Sequence, residues 1–199
     1  MKKVVFIIPP ENFRDEELLS PLGLLKKKGI LTDVASTEIK SIRGVKGAHV
    51  KSTLKISDIN LPEYDAVIVV GGEGTEKHLW NYKPLRELLI LANQKGKIIG
   101  GICAGSVVLA HTGLLKGMKA TTFPSESFIK ELKNSGAVYT GRGLEYDDTI
   151  ITASGPAAAD EFGKAIIHAL NSKSKGRVHK RVSVHESETI PMTTPFDDY

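Results

Sequence analysis

A short apolar run that ends at a glycine-flanked cysteine is the feature that most restricts the fold of this chain. Residues 98–102 are isoleucine or glycine, Cys103 follows, and residues 104–111 have the composition of a helix. Gly101 and Gly105 stand two positions on either side of the cysteine. Glycine at these places lets a strand and a helix approach each other without a clash of β-carbons. The pattern therefore predicts a tight strand-to-helix corner, a cysteine nucleophile elbow, with Cys103 at its tip.

The predicted corner would also change the chemistry of the thiol. Backbone N–H groups at the start of a helix favour a negative charge nearby, so we predict that the pKa of Cys103 lies below that of a free cysteine. The alternative is that Cys103 is a small core residue, as unpaired cysteines often are. The residues of the corner alone leave both interpretations open.

The rest of the chain alternates between strand-like and helix-like segments, which predicts an α/β fold with a mostly parallel sheet and helices on both faces. The predicted strands lie at residues 4–8, 30–35, 64–70, 98–102, 119–122, 137–139 and 149–152, with a weak edge element at 49–54. The predicted helices lie at 15–29, 77–94, 104–111, 125–134 and 157–170. Pro21 is expected to kink the first helix or to displace its start.

Three segments are expected to meet at one crevice. Ligand sites in parallel sheets lie beyond the carboxyl ends of the strands. Residues 9–17, residues 71–76 and Cys103 all follow predicted strands. The predicted site therefore includes side chains from each of them.

The boundaries of the domain follow from where the apolar periodicity ends. Residues 1–170 are predicted to form one domain. Residues 171–199 are predicted to be a tail, and weak strand-like alternation at 177–185 leaves three alternatives open: an extended edge strand, packing on a partner subunit, or disorder.

Composition argues against several classes of protein. The one cysteine cannot form an internal disulfide, and the chain starts without a signal-peptide pattern, so we expect a cytoplasmic protein. No apolar run approaches the roughly 20 residues that span a bilayer. The net charge of +4 is not gathered in a basic, aromatic-rich stripe, so neither a membrane nor a nucleic acid is expected as a partner.

Several motifs together resemble the ThiJ/PfpI superfamily, which includes the parkinsonism-associated deglycase and the PfpI-type intracellular peptidases. They are Gly71-Gly72, Gly101-Ile-Cys-Ala-Gly105, Leu109-Ala-His-Thr-Gly113, Thr121-Thr-Phe-Pro124 and Ser154-Gly-Pro156. The resemblance covers about residues 3–170. It implies a flavodoxin-like sandwich and a homodimer or a higher homo-oligomer.

The resemblance also implies roles for particular residues. Cys103 would be the reactive cysteine and Glu17 the acid beside it, while the N–H groups of Gly72 and Ala104 would form an oxyanion hole. Without the resemblance, Glu17 would more simply be a first-turn glutamate that stabilises the helix dipole.

The sequence departs from the superfamily pattern at two positions. PfpI-type peptidases have a histidine after the cysteine, where this chain has Ala104, and the deglycase-like branch has a histidine where this chain has Phe123. Glu76 matches the acid that completes the peptidase triad from a neighbouring subunit, but it has no imidazole to orient. His78 is a possible auxiliary acid–base close to the glycine pair.

No cofactor or metal is expected. The chain has no Cys/His cluster and no Walker loop, and residues 71–74 lack the spacing of a dinucleotide fingerprint. The downstream His-x-Glu of a glutamine amidotransferase is missing as well.

Three functions remain open. The first is an enzyme that acts on small reactive carbonyls, glyoxalase-like or deglycase-like, through Cys103 assisted by Glu17. The second is a non-catalytic oxidative-stress sensor or chaperone with an oxidisable Cys103. The third is an intracellular cysteine peptidase or amidase. The absence of histidine from both superfamily positions favours the first, because a thiol adds to an aldehyde without expelling an amine.

Overall fold

A computed structural model describes residues 1–147 and 149–173. It contains eleven strands in these ranges: β1 (Lys3–Ile7), β2 (Leu31–Ser36), β3 (Ser41–Arg43), β4 (His49–Lys51), β5 (Leu54–Lys55), β6 (Ala66–Val69), β7 (Ile98–Ile102), β8 (Lys119–Ala120), β9 (Val138–Tyr139), β10 (Leu144–Asp147) and β11 (Ile150–Ala153). The α-helices are α1 (Asp15–Lys27), α2 (Glu73–His78), α3 (Lys83–Gln94), α4 (Ala104–His111), α5 (Glu126–Asn134) and α6 (Ala159–Lys173).

The central sheet has seven strands in the order β10-β11-β7-β6-β1-β2-β5. All neighbours pair in parallel except β10, which pairs antiparallel with β11 at one edge. The middle strands β6 and β7 are buried along their whole length, as expected for parallel strands that are covered on both faces. The predicted α/β sandwich is confirmed.

Helices cover both faces of the sheet and form two separate cores. On one face, α1 and α6 bring Leu18, Leu25 and Phe162 against β1, β6 and β7. On the other face, α3 and α4 supply Leu89 and Val107 to a second apolar cluster. The carboxyl ends of β1, β6 and β7 lie side by side, so the loops that follow them lie at one edge.

Two small sheets lie outside the main one. Strands β3 and β4 form an antiparallel hairpin, and β8 and β9 form a short parallel pair. Residues 119–122 and 137–139 were expected to be strands, and their strand portions pair with each other instead of joining the large sheet. The edge strand β10 was not predicted, because its half-exposed, polar sequence carries no apolar run.

Two predicted helices differ in detail from the structure. Residues 77–94 were expected to form one helix, but α2 ends at His78 and α3 starts at Lys83 with Pro84 in its first turn, where proline is tolerated. The first helix is continuous from Asp15 to Lys27, so Pro21 does not displace its start.

The predicted end of the domain at residue 170 falls within α6, which continues to Lys173. The rest of the predicted tail, with the strand-like alternation at 177–185, lies outside the described residues. None of the helices in the described ranges combines the length and apolar composition needed to cross a membrane.

Candidate active site

Cys103 lies at the corner between β7 and α4 with an unusual backbone. Its φ is 56° and its ψ is −123°, a conformation that side chains other than glycine rarely adopt. Its N–H donates to the Ala153 carbonyl at 2.9 Å, and its own carbonyl accepts from the Thr122 hydroxyl at 2.8 Å. These bonds from two neighbouring segments hold the strained residue in place.

The two flanking glycines are required by close contacts. A β-carbon on Gly101 would lie 2.7 Å from the Gly105 carbonyl oxygen, and one on Gly105 would collide with the carbonyl of Val69. Real β-carbons do not approach other atoms this closely. The predicted strand-to-helix corner is therefore confirmed, and so is the reason for its two glycines, which is the close approach of strand and helix.

Glu17 lies in the first turn of α1 and is completely buried. Its Oε2 accepts a hydrogen bond from the Gly71 N–H at 3.0 Å, its Oε1 has no N–H or O–H partner, and the Cys103 thiol acts on the carboxyl as a hydrogen-bonding neighbour. A β-carbon on Gly71 would lie 2.5 Å from Glu17 Oε2 and 2.7 Å from Cys103 Cβ, so carboxyl and cysteine converge on this glycine. Burial raises the pKa of Glu17 to about 7, which the Gly71 N–H and Cys103 only partly oppose.

The thiol of Cys103 does not have the lowered pKa that the sequence predicted. Burial raises its pKa well above the ordinary value, and the neighbouring Glu17 charge raises it further. The N–H groups of Ala104 and Gly72 act in the predicted direction, but they are outweighed. The prediction was wrong because it counted the helix N-terminus and left out desolvation and the adjacent carboxylate.

The backbone amides expected to bind an oxyanion lie beside the sulfur. Ala104 is the first residue of α4, and Gly72 precedes α2 with a φ of 116°, a conformation that favours glycine. Both N–H groups lower the pKa of the Cys103 thiol, as donors that stabilise negative charge do. The structure thus brings together Cys103, Glu17, Gly72 and Ala104.

The sequence from residue 2 to residue 169 matches the DJ-1/PfpI family. The chain belongs to this family. An uncharacterized protein of Methanocaldococcus jannaschii, MJ0967, is 39% identical over 87% of this chain and 84% of its own length. The glutathione-independent glyoxalase DJR-1.2 of Caenorhabditis elegans is 28% identical (87% and 91%), and the deglycase PH1704 of Pyrococcus horikoshii is 31% identical (78% and 91%).

A solved structure agrees with the fold. The ThiJ/PfpI domain protein of Brachyspira murdochii superposes with a TM-score of 0.82 at 28% identity, covering 85% of this chain and 96% of that one. The family membership and the flavodoxin-like fold that the motifs predicted are both confirmed.

Two further candidates from the sequence lie on α2, the helix that follows the glycine pair in this DJ-1/PfpI chain. The Glu76 side chain is exposed on α2. His78 Nε2 lies 2.8 Å from Glu11 Oε1, which also accepts from Lys77 Nζ at 2.7 Å. These two contacts lower the pKa of Glu11 to about 2. The His78 ring is therefore held by the half-exposed Glu11 carboxylate. The auxiliary roles of His78 and Glu76 stay predictions.

Several residues at the site were given no role by the sequence reasoning. Thr122 fixes the Cys103 carbonyl, Gly71 permits the approach of Glu17, and Trp80 Nε1 donates to the Ala104 carbonyl at 3.0 Å. Thr122 and Gly71 stand inside motifs that the sequence analysis had already singled out. Trp80 carried no such signal.

The described residues offer no obvious metal site. In the ranges 1–147 and 149–173, no three or more His, Cys, Asp or Glu side chains are grouped so as to hold a metal ion.

Proposed function

We propose that the protein is an enzyme that acts on small reactive carbonyls, with Cys103 as the nucleophile and Glu17 as the acid–base. The observation that carries this proposal is the buried Glu17 carboxyl beside the Cys103 thiol, with one oxygen bound by the Gly71 N–H and the other without an N–H or O–H partner. A general acid–base works best when its pKa is near the working pH, and burial raises the pKa of Glu17 to about 7. The glyoxalase and deglycase names of two relatives support the same class of reaction.

In the first step the sulfur adds to the aldehyde carbon while the thiol proton passes to the Glu17 carboxylate. A carboxylate base suits this site because the raised pKa of Cys103 leaves the sulfur mostly protonated. The electron pair of the carbonyl moves to its oxygen, next to the N–H groups of Gly72 and Ala104. That oxygen then takes the proton back from Glu17, which leaves a hemithioacetal.

With an α-oxoaldehyde the reaction proceeds further. Glu17 removes the proton from the carbon that carries sulfur, which gives an enediol, and delivers a proton to the neighbouring carbon. The hydroxyl proton on the first carbon passes to the oxygen of the second, so the adduct becomes the thioester of a 2-hydroxy acid. Water then hydrolyses the thioester, releasing the acid and restoring the thiol. The net reaction consumes one aldehyde and one water and needs no oxidant.

Peptide hydrolysis is disfavoured by the same geometry. Expelling an amine needs a group that delivers a proton to nitrogen, and cysteine peptidases use an imidazole for this. Among the described histidines, none hydrogen-bonds Cys103 or Glu17. His78 contacts Glu11, and His111 contacts Trp80 and Glu131.

The test is one panel with purified wild type, Cys103→Ala, Glu17→Gln and Glu16→Gln. Wild type should convert methylglyoxal to lactate, and Cys103→Ala should be at background. Glu17→Gln should lose about a hundredfold or more, the usual contribution of an acid–base group. Glu16 is a neighbouring glutamate that pairs with Arg14 at 2.8 Å, so Glu16→Gln is the matched control and should stay near wild type.

Other substrates in the panel separate the competing functions. Peptide cleavage that depends on Cys103 would contradict the proposal, and so would aldehyde turnover that survives Cys103→Ala. Oxidation of Cys103 by peroxide without any aldehyde turnover would favour the sensor function instead.

A further inference from the structure

A row of aromatic side chains extends beside the reactive corner. Phe123 and Phe128 lie edge to face with ring centroids 6.3 Å apart, and Phe128 and Trp80 do so at 5.1 Å. The Trp80 end of the row is fixed to the start of α4, because Trp80 Nε1 donates a hydrogen bond to the carbonyl of Ala104. We define Phe123, Phe128 and Trp80 as the aromatic row.

The Phe123 end of the row borders the Glu17 carboxyl. A β-carbon on Gly155 would lie 3.2 Å from the Phe123 ring and 3.9 Å from Glu17 Oε1, the oxygen without an N–H or O–H partner. Glycine at 155 therefore keeps open a space between the ring and the carboxyl. The preceding residue, Thr122, is bonded to the Cys103 carbonyl, which fixes the backbone of the Phe123 segment against the nucleophile.

Phe123 is not buried in the described structure. Its side chain remains 42% exposed, although large apolar residues gain free energy by leaving water. An exposed ring beside a reactive group is a surface on which a flat apolar substituent can stack.

The charges near the carboxyl point the same way. Arg14 is the cation that acts on Glu17, but its Nε and Nη2 already donate to the two carboxylate oxygens of Glu16 at 2.8 and 3.2 Å. A substrate carboxylate would have to compete with Glu16 for this guanidinium. An uncharged, apolar substituent meets no such competition.

We infer that the aromatic row is the specificity surface of this site, and that it selects α-oxoaldehydes with an aromatic or bulky apolar substituent over methyl- and carboxylate-bearing ones. The inference rests on the proposed function for its substrate class. Phe123 acts in it as the residue that contacts the substituent, while Cys103 and Glu17 carry out the chemistry.

The first experiment compares phenylglyoxal, methylglyoxal and 4,5-dioxopentanoate, an α-oxoaldehyde that carries a carboxylate, in wild type, Phe123→Ala and Phe123→Leu. Wild type should have the highest kcat/KM with phenylglyoxal. Phe123→Ala should raise the KM for phenylglyoxal about tenfold, the order expected for loss of an aromatic contact, with kcat and the methylglyoxal parameters within about twofold. Phe123→Leu should fall between the two. A parallel loss with all three substrates would overturn the inference, because it would mean that Phe123 only supports the fold.

Tyr146→Ala is the matched control. Tyr146 is a comparably exposed aromatic residue, 39% accessible, and its ring lies edge to face with His168 on α6. This variant should leave the substrate preference unchanged. Thermal melts of all variants check that they are folded.

The second experiment does not depend on turnover. Cys103 is the only cysteine, so its alkylation can be followed by intact mass. Phenacyl bromide and bromoacetone both transfer their carbon to the sulfur with loss of bromide, and they differ in a phenyl against a methyl group. We take the rate with phenacyl bromide over the rate with bromoacetone and divide it by the same ratio for N-acetylcysteine. This normalised ratio should be about ten in wild type and should fall toward one in Phe123→Ala.

The two experiments fail in different ways. A normalised labelling ratio of one in wild type would overturn the aromatic preference, whether or not aldehydes are turned over. A high ratio that depends on Phe123, together with no aldehyde turnover, would support the aromatic row and refute the proposed function.

Discussion

At the scale of single residues, Cys103 and Glu17 compete for one negative charge. Burial penalises the charged form of both groups. As the pH rises, the carboxyl, whose pKa is about 7, loses its proton before the thiol does. The thiol then loses its proton in the presence of that charge. This coupling leads to two predictions that use the same substitution.

The first prediction is that Glu17→Gln accelerates alkylation of Cys103 while it slows turnover about a hundredfold or more. Removing the carboxylate removes a charge that raises the pKa of the thiol. Between pH 8 and 9 the rate with iodoacetamide should increase by about tenfold, since a neighbouring like charge shifts a pKa by one unit or more. Slower alkylation of the variant would show that Glu17 activates the sulfur in its resting state.

The second prediction concerns the dependence of stability on pH. Glu17 has a higher pKa in the folded chain than the value of 4.5 expected when it is unfolded, so the native state binds more protons between these values and stability falls as pH rises through about 7. At 1.36 kcal/mol per pKa unit, a rise from 4.5 to about 7 corresponds to about 3 kcal/mol.

Urea unfolding of wild type and Glu17→Gln at pH 5 and pH 8 measures this linkage. From pH 5 to pH 8, the free energy of unfolding of Glu17→Gln should increase relative to that of wild type by up to about 3 kcal/mol. Glu16→Gln serves as the control. An equal change in wild type and Glu17→Gln would mean that the carboxyl keeps an ordinary pKa.

At the scale of secondary-structure elements, the corner between β7 and α4 depends on backbone contacts that leave no room for a side chain. Gly105→Ala should lower the free energy of unfolding by about 1 to 3 kcal/mol, as overpacking does, because its new methyl group would meet the Val69 carbonyl.

Gly23→Ala is the control for that substitution. Gly23 lies within α1 and a β-carbon there would meet nothing within 4 Å, so alanine should stabilise the helix by about 0.5 to 1 kcal/mol. Chemical denaturation of both variants measures the difference. Equal effects of the two substitutions would mean that the close contact at Gly105 relaxes without cost.

At the scale of the whole molecule, the resemblance to the family predicts a homodimer or a larger homo-oligomer. We expect light scattering at micromolar concentration to give a mass at least twice the 21.6 kDa of one chain. The exposed position of Glu76 leaves it available to a neighbouring copy. A mass of one chain across the concentration range would contradict this prediction and with it the proposed part of Glu76 in a shared site.

The sequence by itself determined the class of fold and the place of the site. The apolar runs of β1, β6 and β7 and the spacing of Gly101, Cys103 and Gly105 are local patterns, and local patterns specify buried parallel strands and tight corners directly. The motifs, taken together, were enough to indicate the family and the residues that meet at the corner.

Only the tertiary structure decided the ionisation of that corner and the partners of the short strands. The pKa values of Cys103 and Glu17 depend on how completely other segments exclude water, and no local pattern measures desolvation. In the same way β8 pairs with β9, and β10 joins the large sheet, through contacts whose sequence signal is too weak to assign a neighbour. The aromatic row likewise exists only because Trp80, which is more than 40 positions from Phe123 and Phe128 in sequence, meets them beside the start of α4.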